Sequence, residues 1–153
     1  ILQYVRSKPF HARDKMAEKT RISISIEPEL LELFDKRIVK GGYPTRSEAI
    51  KELMKSSLVE KEWMDDREVA GAIVVVFDHH TPNLVKKLTD VQHDFGDAII
   101  SSQHVHLDHD NCLETIVVKG TSSSIVGLVA GMKSIKGLKH IDLVATTTGR
   151  DIS

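Results

Sequence analysis

The sequence predicts an α+β chain of two units, and three observations lead there. Strict alternation of polar and β-branched residues from Arg21 to Glu27 runs into two stretches with helical apolar spacing. A charged run from Glu60 to Glu68 then divides the chain. Beyond it, apolar runs and helical stretches follow in the order β-α-β-β-α-β, the split ferredoxin-like unit.

Residues 1–15 show neither period-2 nor period-3.6 patterning and are expected to be a disordered extension, cloning-derived or upstream, with Met16 as the natural start. In Arg21-Ile22-Ser23-Ile24-Ser25-Ile26-Glu27 the isoleucines share one face of a half-buried strand. Pro28 suits a first helical turn, Leu30, Leu31, Phe34 and Ile38 continue at helical spacing, and Gly41-Gly42 stops the helix. Thr45-Arg46-Ser47-Glu48 has the form of a capping box, and Ile50, Leu53, Met54 and Leu58 mark the buried stripe of a second helix that runs to about Met64.

A strand-helix-turn-helix unit of this size has one strand without a partner and too little core to stand alone. Pairing of two copies through antiparallel strands answers both needs. The isoleucine face then packs on the helices, and Arg21, Ser23 and Ser25 face outward.

In the second block, Ala72 to Phe77 is a continuous apolar run, read as a buried strand. Thr81-Pro82 opens a helix with Leu84, Val85 and Leu88 on one face. Ala98 to Leu107 and Cys112 to Lys119 are the next two strands, the latter ended by Gly120. Ser122 to Ile135 reads as a helix that Gly127 and Gly131 each weaken by about 1 kcal/mol. Ile141 to Ala145 is the last strand. The boundaries fall at 16–64 for the first unit and 65–153 for the second.

Composition bounds the function. The 153 residues are 41% hydrophobic and 28% charged, with a single cysteine, 9 Gly and 4 Pro, which excludes a disulfide scaffold, collagen and low-complexity disorder. No run of about 18 apolar residues occurs, so no membrane span is expected, and a reduced, cytoplasmic setting is. A net charge of −1 gives no general sign of a nucleic-acid partner. The compositional oddity is 8 histidines.

Three of them lie close to the cysteine in Gln103-His104-Val105-His106-Leu107-Asp108-His109-Asp110-Asn111-Cys112-Leu113-Glu114. On a strand, His104 and His106 project to one face. Asp108 to Asn111 is turn chemistry, and a five-residue loop over 107–111 sets Cys112 opposite His106, on that same face. Two imidazoles and a thiolate suit a late transition metal: planar coordination favours Ni(II) or Cu(II), tetrahedral coordination Zn(II). A fourth position remains, and His93, at the end of the preceding helix, could fill it from its own chain or a neighbour's. The same residues also fit an ordinary solvated strand face or a catalytic Cys-His pair. His79 and His80 are read as solvated at a strand end, His140 at a strand start and His109 in the turn.

Residues 21–52 resemble a ribbon-helix-helix DNA-binding domain, and His104 to Glu114 resembles the metal motif of the nickel-responsive transcriptional regulators, the match covering about residues 17–147. The resemblance implies an N-terminal ribbon-helix-helix domain and a C-terminal ferredoxin-like domain of the ACT type that assembles a homotetramer, a dimer of dimers. It implies that Arg21, Ser23 and Ser25 read bases of double-stranded operator DNA from a ribbon in the major groove, Arg21 by bidentate contact with guanine. The N-terminus of the second helix, near Thr45 to Ser47, would hold a phosphate.

It further implies one Ni(II) per chain in square-planar coordination, held by His104, His106 and Cys112 of one chain and His93 of the facing chain. Gln92 and Glu114 become candidates for orienting the imidazoles. Glu48 and Glu52 match acidic positions near a cation site between domains. The function so implied is a nickel-responsive regulator, expected to repress nickel-uptake genes, rather than an enzyme. A regulator answering another metal or an amino acid, or a metal storage or delivery protein, is the alternative.

Overall fold

A computed structural model describes residues 20–150 and Ile152; the reading of residues 1–15 and of Met16 lies outside them. Helix α1 spans Pro28–Gly41, with Pro28 in the first turn, where its missing N–H has no helical acceptor to lose. It closes at Gly42, whose φ of 69° suits glycine, as Gly42 and Tyr43 donate to Val39 O and Ile38 O. Helix α2, Arg46–Met64, begins where Thr45 Oγ1 accepts the Glu48 N–H at 3.1 Å. Arg46 holds α1 to α2 by donating to both carboxylate oxygens of Asp35, at 2.7 and 2.6 Å.

Among the described residues, 21–27 have no ladder partner, and Ile22, Ile24 and Ile26 are 60%, 59% and 38% exposed. A strand exists only against another strand, and the described residues of one copy supply none to it. For the same reason Leu53, Met54 and Leu58, expected as a buried stripe, lie exposed, while Ala49 and Glu62 are the buried residues of α2.

The second unit is a four-stranded sheet with two helices on one face. Its elements are β1 (Glu68–Asp78), α3 (Leu84–Asp94), β2 (Ile99–His106), β3 (Asn111–Thr121), α4 (Ser122–Lys133) and β4 (Leu138–Thr146). All pairings are antiparallel and the order is β2-β3-β1-β4, so the unit is ferredoxin-like, as expected. The helices cover a core of Val69, Ile73, Val75 and Phe77 from β1, Cys112, Ile116 and Val118 from β3, Leu84 and Leu88 from α3, and Ile125, Leu128 and Met132 from α4. Each large side chain buried here contributes about 1.5–3 kcal/mol.

Three local readings need correction. β1 is buried on one face only: Ala72, Val74 and Val76 are half-buried, and Val117 and Val144, which flank Ala72 in register, are 40% and 60% exposed. Helix α3 starts at Leu84 rather than at Pro82, because Asn83 adopts a left-handed conformation (φ 62°) that turns the chain first. Gly120 lies inside β3 rather than ending it. The two glycines of α4 have a packing reason, since a Cβ at Gly127 would meet Phe95 and one at Gly131 would meet Val91, each at 3.1 Å. They let α4 approach α3 closely.

The end of α2 is tied to the sheet unit. Trp63 Nε1 donates to Thr146 O at 2.9 Å, and Ser122 Oγ donates to Trp63 O at 2.6 Å. Asp66 accepts from Ser123 N at 2.7 Å and from both serine hydroxyls at the start of α4. Those bonds, the Ser123 N–H first, hold its carboxyl below the usual aspartate range. No helix among the described residues is long and apolar enough to cross a membrane.

Candidate metal centre

The β2–β3 hairpin sets the site's register. His106 stands opposite Cys112, with residues 107–111 between them, as the turn chemistry predicts. Leu107 N donates to Asn111 O at 2.8 Å, and one Asp108 oxygen accepts from the N–H groups of Asp110 and Asn111 at 2.9 and 2.8 Å. The Asn111 side chain donates to the same carboxylate and is the main reason its pKa lies below the ordinary value. Lys139 Nζ in turn donates to Asn111 Oδ1, bracing the turn against β4.

His104 pairs with Glu114 and His106 with Cys112, so all four occupy the helix-covered face. Cys112 is fully buried, with Sγ 3.3 Å from Nδ1 of both His106 and His79. Burial pushes its thiol pKa up, and the charges of Asp108 and Asp78 act in the same direction. A thiol so raised is a poor nucleophile but a ready metal ligand once its proton is displaced. The ligand atoms of His79, His106 and Cys112 all lie within 4.8 Å of one another. Two nitrogens and a sulfur converging on one point fit a late transition metal.

His104 stands beside this group, its ring 5.1 Å from that of His106 and edge-on to Phe77 at 5.6 Å. His93 is exposed in the last turn of α3. Its neighbour Gln92 donates from Nε2 to Glu114 Oε1 at 3.1 Å, which ties the His93 turn to the strand position opposite His104. Of the four expected ligands, His106 and Cys112 lie within ligand distance of each other, and the groups that converge among the described residues include neither His104 nor His93.

His79 corrects the sequence reading, which left it in solvent. It is half-buried and bonded to Cys112, because β1 lies between β3 and β4 and places Phe77 opposite Cys112. The signal was present in the β-α-β-β-α-β order, in which the first and third strands are neighbours and the end of one meets the start of the other. His140 is exposed within β4, and His109 is exposed beside Asp110, as expected.

Arg21, Ser23 and Ser25 are all exposed, as is Thr45 at the amino end of α2. Glu48 accepts from Lys51 Nζ at 2.6 Å, and Glu52 lines an open groove with Trp63 and Thr146. Neither glutamate belongs to a converging group of metal-type ligands among the described residues.

Residues 70–146 match the family described as NikR C terminal nickel binding domain, and residues 20–60 match the ribbon-helix-helix protein, copG family. A nickel-responsive regulator of Desulfotalea psychrophila is 46% identical over 86% of this chain and 97% of its own length. One of Nitratidesulfovibrio vulgaris is 47% identical over 90% of this chain and 100% of its own. One of Thermococcus onnurineus is 49% identical over 87% and 97%.

Proposed function

The chain belongs to the family of nickel-responsive regulators, and on that premise we propose that it is a nickel-sensing repressor of nickel-uptake genes. His104, His106 and Cys112 of one chain and His93 of the facing chain hold Ni(II), one per chain, within a homotetramer. The observation that carries the reading is the buried Cys112 thiol facing His106 across the hairpin, on the face His104 shares. When bound, the metal supplies a bridge between two chains. A ligand set drawn from two chains is complete only in the assembled core, so occupancy favours that assembly. Gln92 and Glu114 hold the His93 turn against β3 and orient it.

The half-buried outer face of β1 and the exposed apolar stripes of residues 22–58 support assembly through further copies. In the domain over residues 16–64, two copies of strand 21–27 pair, and Arg21, Ser23 and Ser25 face operator DNA. The domain over residues 65–153 forms the core that sets two such ribbons on two half-sites. Affinity rises because one placement replaces two independent ones. Glu52 lines the groove beside Trp63 and Thr146, and Glu48 lies one turn before it on α2; a second cation between the domains would sit against this helix. The protein works in the cytoplasm, where its DNA is.

The test is a gel shift of the full chain on the promoter of neighbouring nickel-uptake genes, with Ni(II), Cu(II) and Zn(II) compared. Retardation that requires Ni(II) supports the reading. Retardation indifferent to all three metals defeats it and favours a regulator answering another ligand.

A further inference from the structure

The brace between β4 and the β2–β3 turn starts from an irregularity in the sheet. Val76 of β1 pairs with His140 of β4 and the next residue, Phe77, pairs with Leu138, so Lys139 has no partner across β1 and forms a β-bulge. An extra residue in one strand bends it and re-aims the side chain, and such bulges are frequent beside functional sites. The backbone just before the bulge is pinned. Gly137 turns at φ 104°, and a Cβ there would meet Leu84 of α3 at 2.9 Å and Thr81 at 3.1 Å.

β3 and β4 are not neighbours, because β1 lies between them. From the bulge, the Lys139 ammonium reaches across the end of β1, where Asp78 pairs with Asn111, and donates to Asn111 Oδ1. The other end of that amide is also held, since Asn111 Nδ2 donates to the two Asp108 oxygens at 2.9 and 2.8 Å. Its oxygen thus meets a group that can only donate, and its nitrogen meets one that accepts. Asn111 directly precedes Cys112, and its backbone oxygen accepts from Leu107 N, directly after His106. The chain of bonds from Lys139 therefore ends on the two backbone positions that adjoin the ligand pair.

We propose that Lys139 is a positioning residue of the metal centre, holding the Asn111 amide from across the sheet and so setting the spacing of the His106 imidazole and the Cys112 sulfur. It does not touch the ion. Ligands already held in place need less ordering when the metal binds, which tightens affinity. Lys139 is exposed and its bond contributes little to global stability, so the effect falls on metal binding rather than on folding. The role rests on reading His106 and Cys112 as metal ligands.

The test is Ni(II) affinity of the full chain by competition with a chelator, with the thiolate charge-transfer absorbance recorded. Lys139→Met keeps the apolar stem but cannot donate. It should bind Ni(II) about tenfold more weakly, with a shifted charge-transfer band, while its metal-free denaturant midpoint matches that of the wild type. Lys139→Arg, which still donates, should restore affinity and band. Asn111→Ala should bind at least as weakly as Lys139→Met, and combining the two should weaken binding no further. Wild-type affinity and band in Lys139→Met overturn the proposal, as does a full further loss in the double variant. A loss of affinity that comes with a loss of stability and an unmoved band places Lys139 in folding alone and also overturns it. Cys112→Ala tests the premise separately and should abolish the band. Nickel affinity that survives Cys112→Ala defeats the centre itself, whereas affinity lost there but intact in Lys139→Met defeats only the role of Lys139.

Discussion

His79 Nδ1 lies 3.3 Å from Cys112 Sγ, although 33 residues separate them. That imidazole can donate to the sulfur and shape its charge whichever metal the sulfur holds. Groups that bond to a metal ligand typically alter affinity by about 10–100-fold. His79→Ala is therefore expected to weaken Ni(II) binding within that range, measured by competition with a chelator. An unchanged affinity would show that the contact is incidental.

Nickel affinity should fall with acidity. The Cys112 thiol pKa is raised by burial, so at neutral pH the metal must displace its proton. One displaced proton predicts about a tenfold loss of affinity per pH unit. Titrations at several pH values check the slope, and a flat profile would exclude the thiol from the ligand set.

Arg21→Ala should weaken operator binding and relax sequence preference, by about 1–3 kcal/mol for a lost bidentate base contact. Competition shifts with operator and unrelated DNA separate this from a loss of charge, which weakens both equally.

Asp66 ties the end of α2 to the start of α4, and its carboxyl is held below the ordinary range by the Ser123 N–H first and the serine hydroxyls next. A depressed folded-state pKa gives stability that is complete above the unfolded value and lost as pH falls through the folded one. Asp66→Asn should accordingly be less stable than the wild type at neutral pH, with the gap closing in acid. Denaturant melts across pH follow it, and a gap that widened in acid would contradict the assignment.

Gly131→Val should cost about 1–3 kcal/mol by overpacking, because its side chain would press into Val91. It should also weaken nickel binding, since Val91 precedes Gln92 and His93 on α3. A variant that loses stability but keeps full nickel affinity would separate α3 placement from the site.

Local chemistry made much of this molecule readable. Alternation and turn residues placed His106 opposite Cys112, and the capping residue Thr45 and the glycine after α1 marked helix ends that the structure reproduces. What stayed hidden depends on neighbours distant in sequence. His79 meets Cys112 only because β1 inserts between β3 and β4, a property of topology rather than of any local pattern. The apolar stripe of Leu53, Met54 and Leu58 was legible as a stripe, but what covers it is not encoded in one chain's contacts. Pro82 carries a helix-start signal that Asn83 overrides by turning left-handed.

The most direct test of the central claim is operator affinity of the full chain titrated with Ni(II), wild type beside Cys112→Ala. The account predicts that nickel tightens wild-type binding and has no effect on the variant, while the weak metal-free affinity of both stays the same. Nickel-dependent tightening that persists without the thiol would contradict it.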